Sequence, residues 1–124
     1  MKKTIDYIND NHPEIFTIAD AKRGDIGNTS KMYAQSFFTE MNFDSLTINP
    51  YMGSDSVKPF LEFKNKISIL LGLTSNIGAE DIQLKTSNGD FIFMEMIKSS
   101  KLWGNHNNMI CLLYTSPSPR DPSI

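Results

Sequence analysis

Hydrophobic and polar positions along the chain alternate between helical and strand-like spacing. The amphipathic stretch around residues 5–8 is typical of the end of a helix, and Pro13 closes it because proline disfavours helical geometry at the residue before it. Since this helix starts at Met1 without a capping residue or a preceding element, we expect the chain to begin part-way through a larger fold. The apolar run at residues 15–21, which ends before Gly24, predicts a buried strand.

Further helices and strands are predicted along the chain. Tyr33, Phe37 and Met41 recur at a spacing of four, which predicts one apolar stripe on a helix. This helix is expected to begin at Asp25, whose carboxylate can cap free backbone amides. Further strands are predicted at residues 45–49, 68–73 and 108–114, and further helices at residues 54–64 and 90–102. Strands that alternate with helices indicate an α/β fold with about four parallel strands covered by helices.

The C-terminal residues differ from the rest in composition. Residues 116–124 contain Pro117, Pro119 and Pro122, which exclude a helix or a central strand. Residues 112–121 also resemble a translated sequencing adaptor. We therefore interpret residues 1–110 as the folded unit and residues 111–124 as a non-native or disordered tail.

Composition excludes several classes of protein. The net charge of −2 gives no reason to expect a nucleic-acid or membrane partner. Cys111 is the only cysteine, which excludes an internal disulfide and fits a reducing compartment. No apolar run approaches the ~20 residues that span a bilayer, so we expect a cytoplasmic protein. Neither His12 nor His106 has a second ligand at a suitable spacing, so no metal site is expected.

Charged residues concentrate where the first predicted strand ends. Asp20 and Lys22 are two residues apart and should share one face of that strand, at the end where parallel α/β proteins place their sites. Asp25 and Thr29 follow at the start of the next helix, one turn apart. Two carboxylates beside an amine favour a charged ammonium, which could donate a proton or bind a phosphate or sugar. Alternatively, Asp20 and Lys22 form a structural ion pair and Asp25 only caps the helix.

A family resemblance bears on this choice. The segment Asp20-Ala21-Lys22-Arg23-Gly24-Asp25-Ile26-Gly27-Asn28-Thr29 resembles the signature of orotidine-5'-phosphate decarboxylases, with aspartate, lysine and aspartate at positions one, three and six. The resemblance continues through residues 47–60, 71–76 and 103–105, and it is strongest to the longer bacterial subgroup. It covers the chain from Met1 to about Ile110.

The resemblance implies a (β/α)8 TIM barrel that forms a homodimer with shared active sites. Its reaction converts orotidine 5'-monophosphate to uridine 5'-monophosphate in de novo pyrimidine biosynthesis, without cofactor or metal. By this analogy Lys22 would protonate carbon 6 of the pyrimidine, and Asp20 would face the substrate carboxylate. Asp25 and Thr29 would reach into the partner subunit's site, and Ser75 would contact the pyrimidine.

The chain also departs from the family. A TIM barrel takes ~250 residues, whereas about four strands are predicted here. The resemblance places the family's other catalytic lysine before Met1 and its phosphate-binding arginine after Ile110. We therefore expect an internal fragment that is inactive alone. Two alternatives remain: a related barrel decarboxylase or aldolase that acts on a sugar phosphate with magnesium, or a non-catalytic fragment.

Overall fold

The computed structural model describes residues 1–104 and 107–114. Residues 115–124 of the predicted tail, as well as His106 and the Asn105 of the last family motif, lie outside the described residues. Residues 111–113, which we assigned to the tail, form the end of the last strand.

Helices and strands alternate through the described part of the chain. In order they are α1 (Lys2–Asn11), β1 (Ile18–Arg23), α2 (Gly27–Ala34), β2 (Ser45–Ile48), α3 (Ser54–Leu61), β3 (Ile67–Leu73), β4 (Thr86–Ser87), β5 (Asp90–Phe91), α4 (Ile92–Ser100) and β6 (Met109–Leu113). A π-helical segment (Gln35–Glu40) continues α2, and a 3-10 helix (Ile77–Asp81) follows β3. This order confirms the predicted alternation.

The four longer strands form one parallel sheet in the order β1-β2-β3-β6. The order of these strands in the sheet is therefore their order along the chain, and a helix connects each one to the next. This is the arrangement of strands in a (β/α)8 barrel. The predicted α/β fold with four parallel strands is confirmed. Strands β1 and β6 are the two edges of this sheet in the described chain.

The two faces of the sheet differ in burial. On the helix-covered face, strand residues pack with aromatic side chains of the helical layer into one core, which includes Leu46, Leu70, Phe38 and Phe60. Phe38 meets Phe60 edge to face, with ring centroids 6.5 Å apart, a favoured aromatic geometry. The opposite face, which would point into a closed barrel, carries exposed apolar side chains: Ile18, Ile110 and Leu112.

Several predicted boundaries differ from the structure: β1 ends at Arg23 rather than at residue 21, α2 begins at Gly27 rather than at Asp25, and α3 ends at Leu61 rather than at residue 64. Two further differences have local reasons. Strand β1 begins at Ile18 rather than at residue 15, because the Thr17 amide and hydroxyl both donate to the Asp44 carboxylate, at 2.8 and 3.2 Å. Helix α4 begins at Ile92 rather than at residue 90. Strands β4 and β5 form an antiparallel hairpin whose Asn88 and Gly89 have φ values of 54° and 87°, the backbone of an Asn-Gly turn.

The unpaired edges and the uncovered face predict self-association of the isolated chain, because edge strands present free backbone donors and acceptors to other molecules. Ile110, on β6, is 54% exposed. We expect Ile110→Lys to reduce association, since a charge on an edge strand opposes edge-to-edge pairing. Sedimentation velocity over a range of concentrations measures the effect.

Ile77 offers a matched control. It is 86% exposed but lies on the 3-10 helix, outside the sheet, so Ile77→Lys should leave association unchanged. A wild-type chain that stays monomeric and melts cooperatively would contradict this prediction, as would an equal effect of the two lysine substitutions.

Candidate active site

Strand β1 loses its regular geometry where the candidate site begins. Lys22 has a φ of +52°, in the left-handed region that L-residues rarely occupy. The register with β2 shifts between Ala19 and Arg23, so β1 bulges there. Bulges redirect side chains and are common beside active sites. The backbone at Lys22 is therefore irregular within the motif that carries the candidate chemistry.

Lys22 and Asp20 form an ion pair at the C-terminal end of β1. The Lys22 Nζ donates to Asp20 Oδ1 at 2.7 Å, and the two side chains are 53% and 64% exposed. The predicted contact between these side chains is thus present. Hydrogen bonds from Lys22 and from Thr47 hold the pKa of the Asp20 carboxyl below its ordinary value of 3.8. The carboxylate therefore stays charged beside the ammonium throughout the neutral range.

Thr47, on the neighbouring strand β2, forms hydrogen bonds with both members of this ion pair. Its side chain is buried, and its hydroxyl accepts a hydrogen bond from the Lys22 amide at 2.9 Å. The same hydroxyl lies 3.0 Å from Asp20 Oδ1, to which it donates. We did not predict Thr47 to be a site residue. It is the first residue of the stretch 47–60 that resembles the family, and it places a hydroxyl between Leu46 and Ile48 in a short strand.

The chain after Lys22 is held close to the end of β2. The Asn49 amide donates to the Arg23 carbonyl at 2.8 Å. A Cβ on Gly24 would lie 2.9 Å from the Asn49 carbonyl oxygen, so only glycine allows this close approach. The Arg23 guanidinium lies 5.6 Å from the ring centroids of both Tyr33 and Phe37. Arg23 therefore packs on aromatic rings, and within residues 1–104 and 107–114 it forms no ion pair.

Asp25 does not cap α2 as we predicted. Its Oδ1 accepts a hydrogen bond from the Ile26 amide at 2.7 Å, whereas the helix starts at Gly27 and Ile26, at the N-cap, makes no side-chain cap bond. Gly27 has a φ of +49°, so the chain turns in a left-handed conformation between Asp25 and the helix. No ion pair links Asp25 to Lys22 among the described residues.

Two further predicted site residues are exposed and separate from the ion pair. Thr29 lies in the first turn of α2, and Ser75 lies in the loop that follows β3. No hydrogen bond connects either side chain to Asp20 or Lys22 in the part of the chain that the structure describes. The functional roles of Asp25, Thr29 and Ser75 therefore stay predictions.

A pocket of about 400 Å³ opens at the C-terminal ends of β2 and β3, and its lining includes Asn49, Tyr51, Leu71, Thr74 and Phe93. The candidate site residues on β1 and α2, and Ser75, do not line it. Its position at the C-terminal end of parallel strands is where α/β proteins bind ligands. Among residues 1–104 and 107–114, no three His, Cys, Asp or Glu side chains lie close enough together to hold a metal ion. None of the helices in these ranges has the length and apolarity to cross a bilayer.

Comparison with known proteins identifies the family. The family model described as "Orotidine 5'-phosphate decarboxylase / HUMPS family" matches residues 2–102. The chain belongs to this family. The orotidine 5'-phosphate decarboxylase of Flavobacterium johnsoniae is 58% identical over 110 residues, which are 89% of this chain and 40% of that protein. The corresponding enzyme of Christiangramia forsetii is 54% identical, with the same shares covered.

Solved structures agree with the family assignment. Orotidine 5'-monophosphate decarboxylase from Plasmodium berghei matches with a TM-score of 0.77 and 30% identity, over 90% of this chain and 38% of that one. A structure from Streptomyces avermitilis, titled as a putative orotidine 5'-phosphate decarboxylase, has a TM-score of 0.77 and 26% identity, over 95% of this chain and 45% of that one. The chain thus spans about 40% of the length of the curated relatives it matches.

The ion pair predicts a pH response that can be measured directly. Because the Asp20 pKa is lowered, the pair contributes stability above the ordinary carboxyl pKa of 3.8 and loses it as the pH falls through the lowered value. Lys22→Met removes the largest cause of the shift, so the Asp20 pKa should rise toward 3.8. Carboxyl-carbon NMR titration follows Asp20 in the 124-residue chain. Lys31→Met, on the exposed surface of α2, is the control, and an Asp20 pKa that Lys22→Met leaves in place would refute the assigned contact.

Proposed function

We propose that this chain carries the proton-donating part of an orotidine-5'-monophosphate decarboxylase active site. The observation that carries the proposal is the 2.7 Å contact between Lys22 Nζ and Asp20 Oδ1 at the C-terminal end of β1. Family membership supports it, as do the printed names of the relatives, which describe decarboxylases of orotidine 5'-phosphate.

The proposed reaction breaks the bond between carbon 6 of the pyrimidine and its carboxylate. Carbon dioxide leaves, and the bonding electron pair stays on carbon 6. The Lys22 ammonium then gives a proton to that carbon, which yields uridine 5'-monophosphate and a neutral amine that regains a proton from water. A positive charge placed in advance stabilises the developing carbanion, and the same group is the general acid.

Asp20 has two roles in this proposal. Its carboxylate holds the ammonium in place, as the short contact between them supports. It would also lie against the substrate carboxylate, so that the loss of carbon dioxide removes a repulsion between two anions. Since the pKa of Asp20 is lowered by Lys22 and Thr47, it would be charged at the pH of the reaction.

The remaining parts of the proposal follow the family resemblance. Asp25 and Thr29 would contribute to the active site of a partner subunit in a homodimer of complete barrels, and Ser75 would contact the pyrimidine. Asp25 makes its one side-chain hydrogen bond in the described chain to the neighbouring Ile26 amide and is half-buried. We also propose that the enzyme acts in the cytoplasm without a metal or cofactor, and that residues 1–110 form the family's part of the chain.

The isolated 124-residue chain should not decarboxylate orotidine 5'-monophosphate. It spans about 40% of the length of its curated relatives, and the resemblance places the second catalytic lysine and the phosphate-binding arginine outside residues 1–110. Because binding of remote substrate groups supplies energy used at the reacting carbon, their loss should abolish turnover. Ultraviolet absorbance of the pyrimidine measures the rate, and measurable turnover by the purified chain would contradict the prediction.

A chimeric enzyme tests the role of Lys22. Residues 1–110 would replace the matching 110 residues of the Flavobacterium johnsoniae relative, and the chimera should decarboxylate the substrate. Lys22→Ala removes the general acid, which contributes roughly 10²–10⁴-fold to a rate, so kcat should fall at least that far. Lys64→Ala, at an exposed lysine beyond the end of α3, should leave kcat unchanged.

Three outcomes would count against the proposal. An inactive chimera would leave the chain without support as part of this enzyme. Full activity of the Lys22→Ala variant would remove the lysine from the mechanism. Activity that is lost with a chelator and restored by magnesium would favour the related barrel enzymes that act on sugar phosphates.

A further inference from the structure

We infer that Thr47 is a positioning residue for the decarboxylation, which fixes the Asp20 carboxylate and the bulged backbone of Lys22 relative to each other. This inference rests on the proposed function and assigns a role to a residue on β2. Thr47 begins the stretch 47–60 that resembles the family, but the resemblance gives it no role. Thr47 is not proposed to touch the substrate. It acts through the two residues that do.

The hydrogen bonds of Thr47 connect both ends of the ion pair. Its Oγ1 accepts from the Lys22 amide at 2.9 Å and lies 3.0 Å from Asp20 Oδ1. A third partner, the Ala19 carbonyl oxygen, is 3.4 Å away. A hydroxyl has one proton to donate. Of the two acceptors, the Asp20 carboxylate is charged and lies closer, so it receives this proton. The Thr47 hydroxyl therefore accepts a hydrogen bond from the Lys22 backbone amide. It also donates one to the Asp20 carboxylate, which binds the Lys22 ammonium.

Thr47 is itself well anchored. Its residue is 3% exposed, and it pairs with Ile69 of β3 in the middle of the sheet. A β-branched side chain has few χ1 rotamers, and its burial leaves no room to exchange them. Asp20 and Lys22 are by contrast more than half exposed. Thr47 is therefore the buried member of the group, and we infer that it holds the two exposed members in place.

The hydrogen bond from the Lys22 amide to Thr47 stabilises the bulge in β1. With a φ of +52°, Lys22 departs from regular strand geometry. Its amide donates to the side-chain oxygen of Thr47 on β2. Without that acceptor the amide loses its partner, and the left-handed backbone loses one of the contacts that maintain it. The backbone conformation at Lys22 would then change, and with it the direction of the Lys22 side chain. The Asp20 carboxylate could rotate away from the ammonium.

Ser45 provides an internal comparison. It is also fully buried on β2, two residues before Thr47, and its hydroxyl donates to the Thr17 carbonyl at 3.1 Å. Residues two apart in a strand face the same side of the sheet. Ser45 thus matches Thr47 in strand, face and burial but differs in its partners, since its hydroxyl bonds to Thr17 and to neither Asp20 nor Lys22.

The enzymatic test uses three variants of the chimera. Thr47→Val keeps the shape of the side chain but removes the hydroxyl, and kcat should fall roughly 10- to 100-fold, as expected for a misplaced reacting group. KM should change much less, because Thr47 does not bind the substrate. Thr47→Ser restores the hydroxyl and should recover most of kcat, while Ser45→Ala should leave it unchanged. An unaltered kcat in Thr47→Val, or an equal loss in Ser45→Ala, would overturn the inference.

An independent readout uses the 124-residue chain without substrate. Carboxyl-carbon NMR should show the Asp20 pKa rising in Thr47→Val and unmoved in Ser45→Ala, while circular dichroism verifies that both variants fold. A titration of Asp20 that Thr47→Val leaves unchanged would overturn the positioning role even if the chimera were slowed. Should the chimera be inactive throughout, the proposed function fails, whereas the titration still decides whether Thr47 holds Asp20.

Discussion

The candidate site depends on a strand that leaves regular geometry at Lys22. In a regular strand, residues two apart lie about 6–7 Å from each other along the chain, and their side chains stand parallel. Here the register of β1 shifts against β2 and Lys22 takes a left-handed backbone conformation, while its ammonium still reaches Asp20 at 2.7 Å. A strained residue of this kind persists only when its surroundings over-determine it.

Those surroundings come from residues beyond the pair itself. Thr47 satisfies the Lys22 amide, Gly24 allows β1 to pass close to Asn49, and the guanidinium of Arg23 is held over aromatic rings. Each contact ties the bulge to a different part of the helical or strand layer. The chemistry of the motif therefore depends on the packing of the second strand and the second helix as much as on the charged residues.

Much of this arrangement is predictable from the sequence, and the parts that are not share a cause. Apolar continuity located β3 to within one residue, and the spacing of acidic and basic residues located the ion pair. Thr47 begins the stretch 47–60 that resembles the family, but no local spacing connects it to the ion pair, because its partners lie more than 20 positions away. Lys66 is a similar case: its buried ammonium donates to Asn42 Oδ1 and to the Phe43 carbonyl, and burial lowers its pKa. Sequence periodicity cannot show such tertiary partners.

The apolar core and the candidate site lie on opposite faces of the sheet. The helix-covered face has a complete apolar core, in which Phe38 and Phe60 are fully buried, so these α/β units contain the packing that defines them. The other face carries the ion pair together with exposed Ile18 and Ile110. An ammonium in water is strongly screened, and its effect on a developing carbanion grows when the site is dry. Local packing is thus sufficient to form the bulge and the pair, whereas the catalytic role that we propose for them requires the uncovered face to be closed.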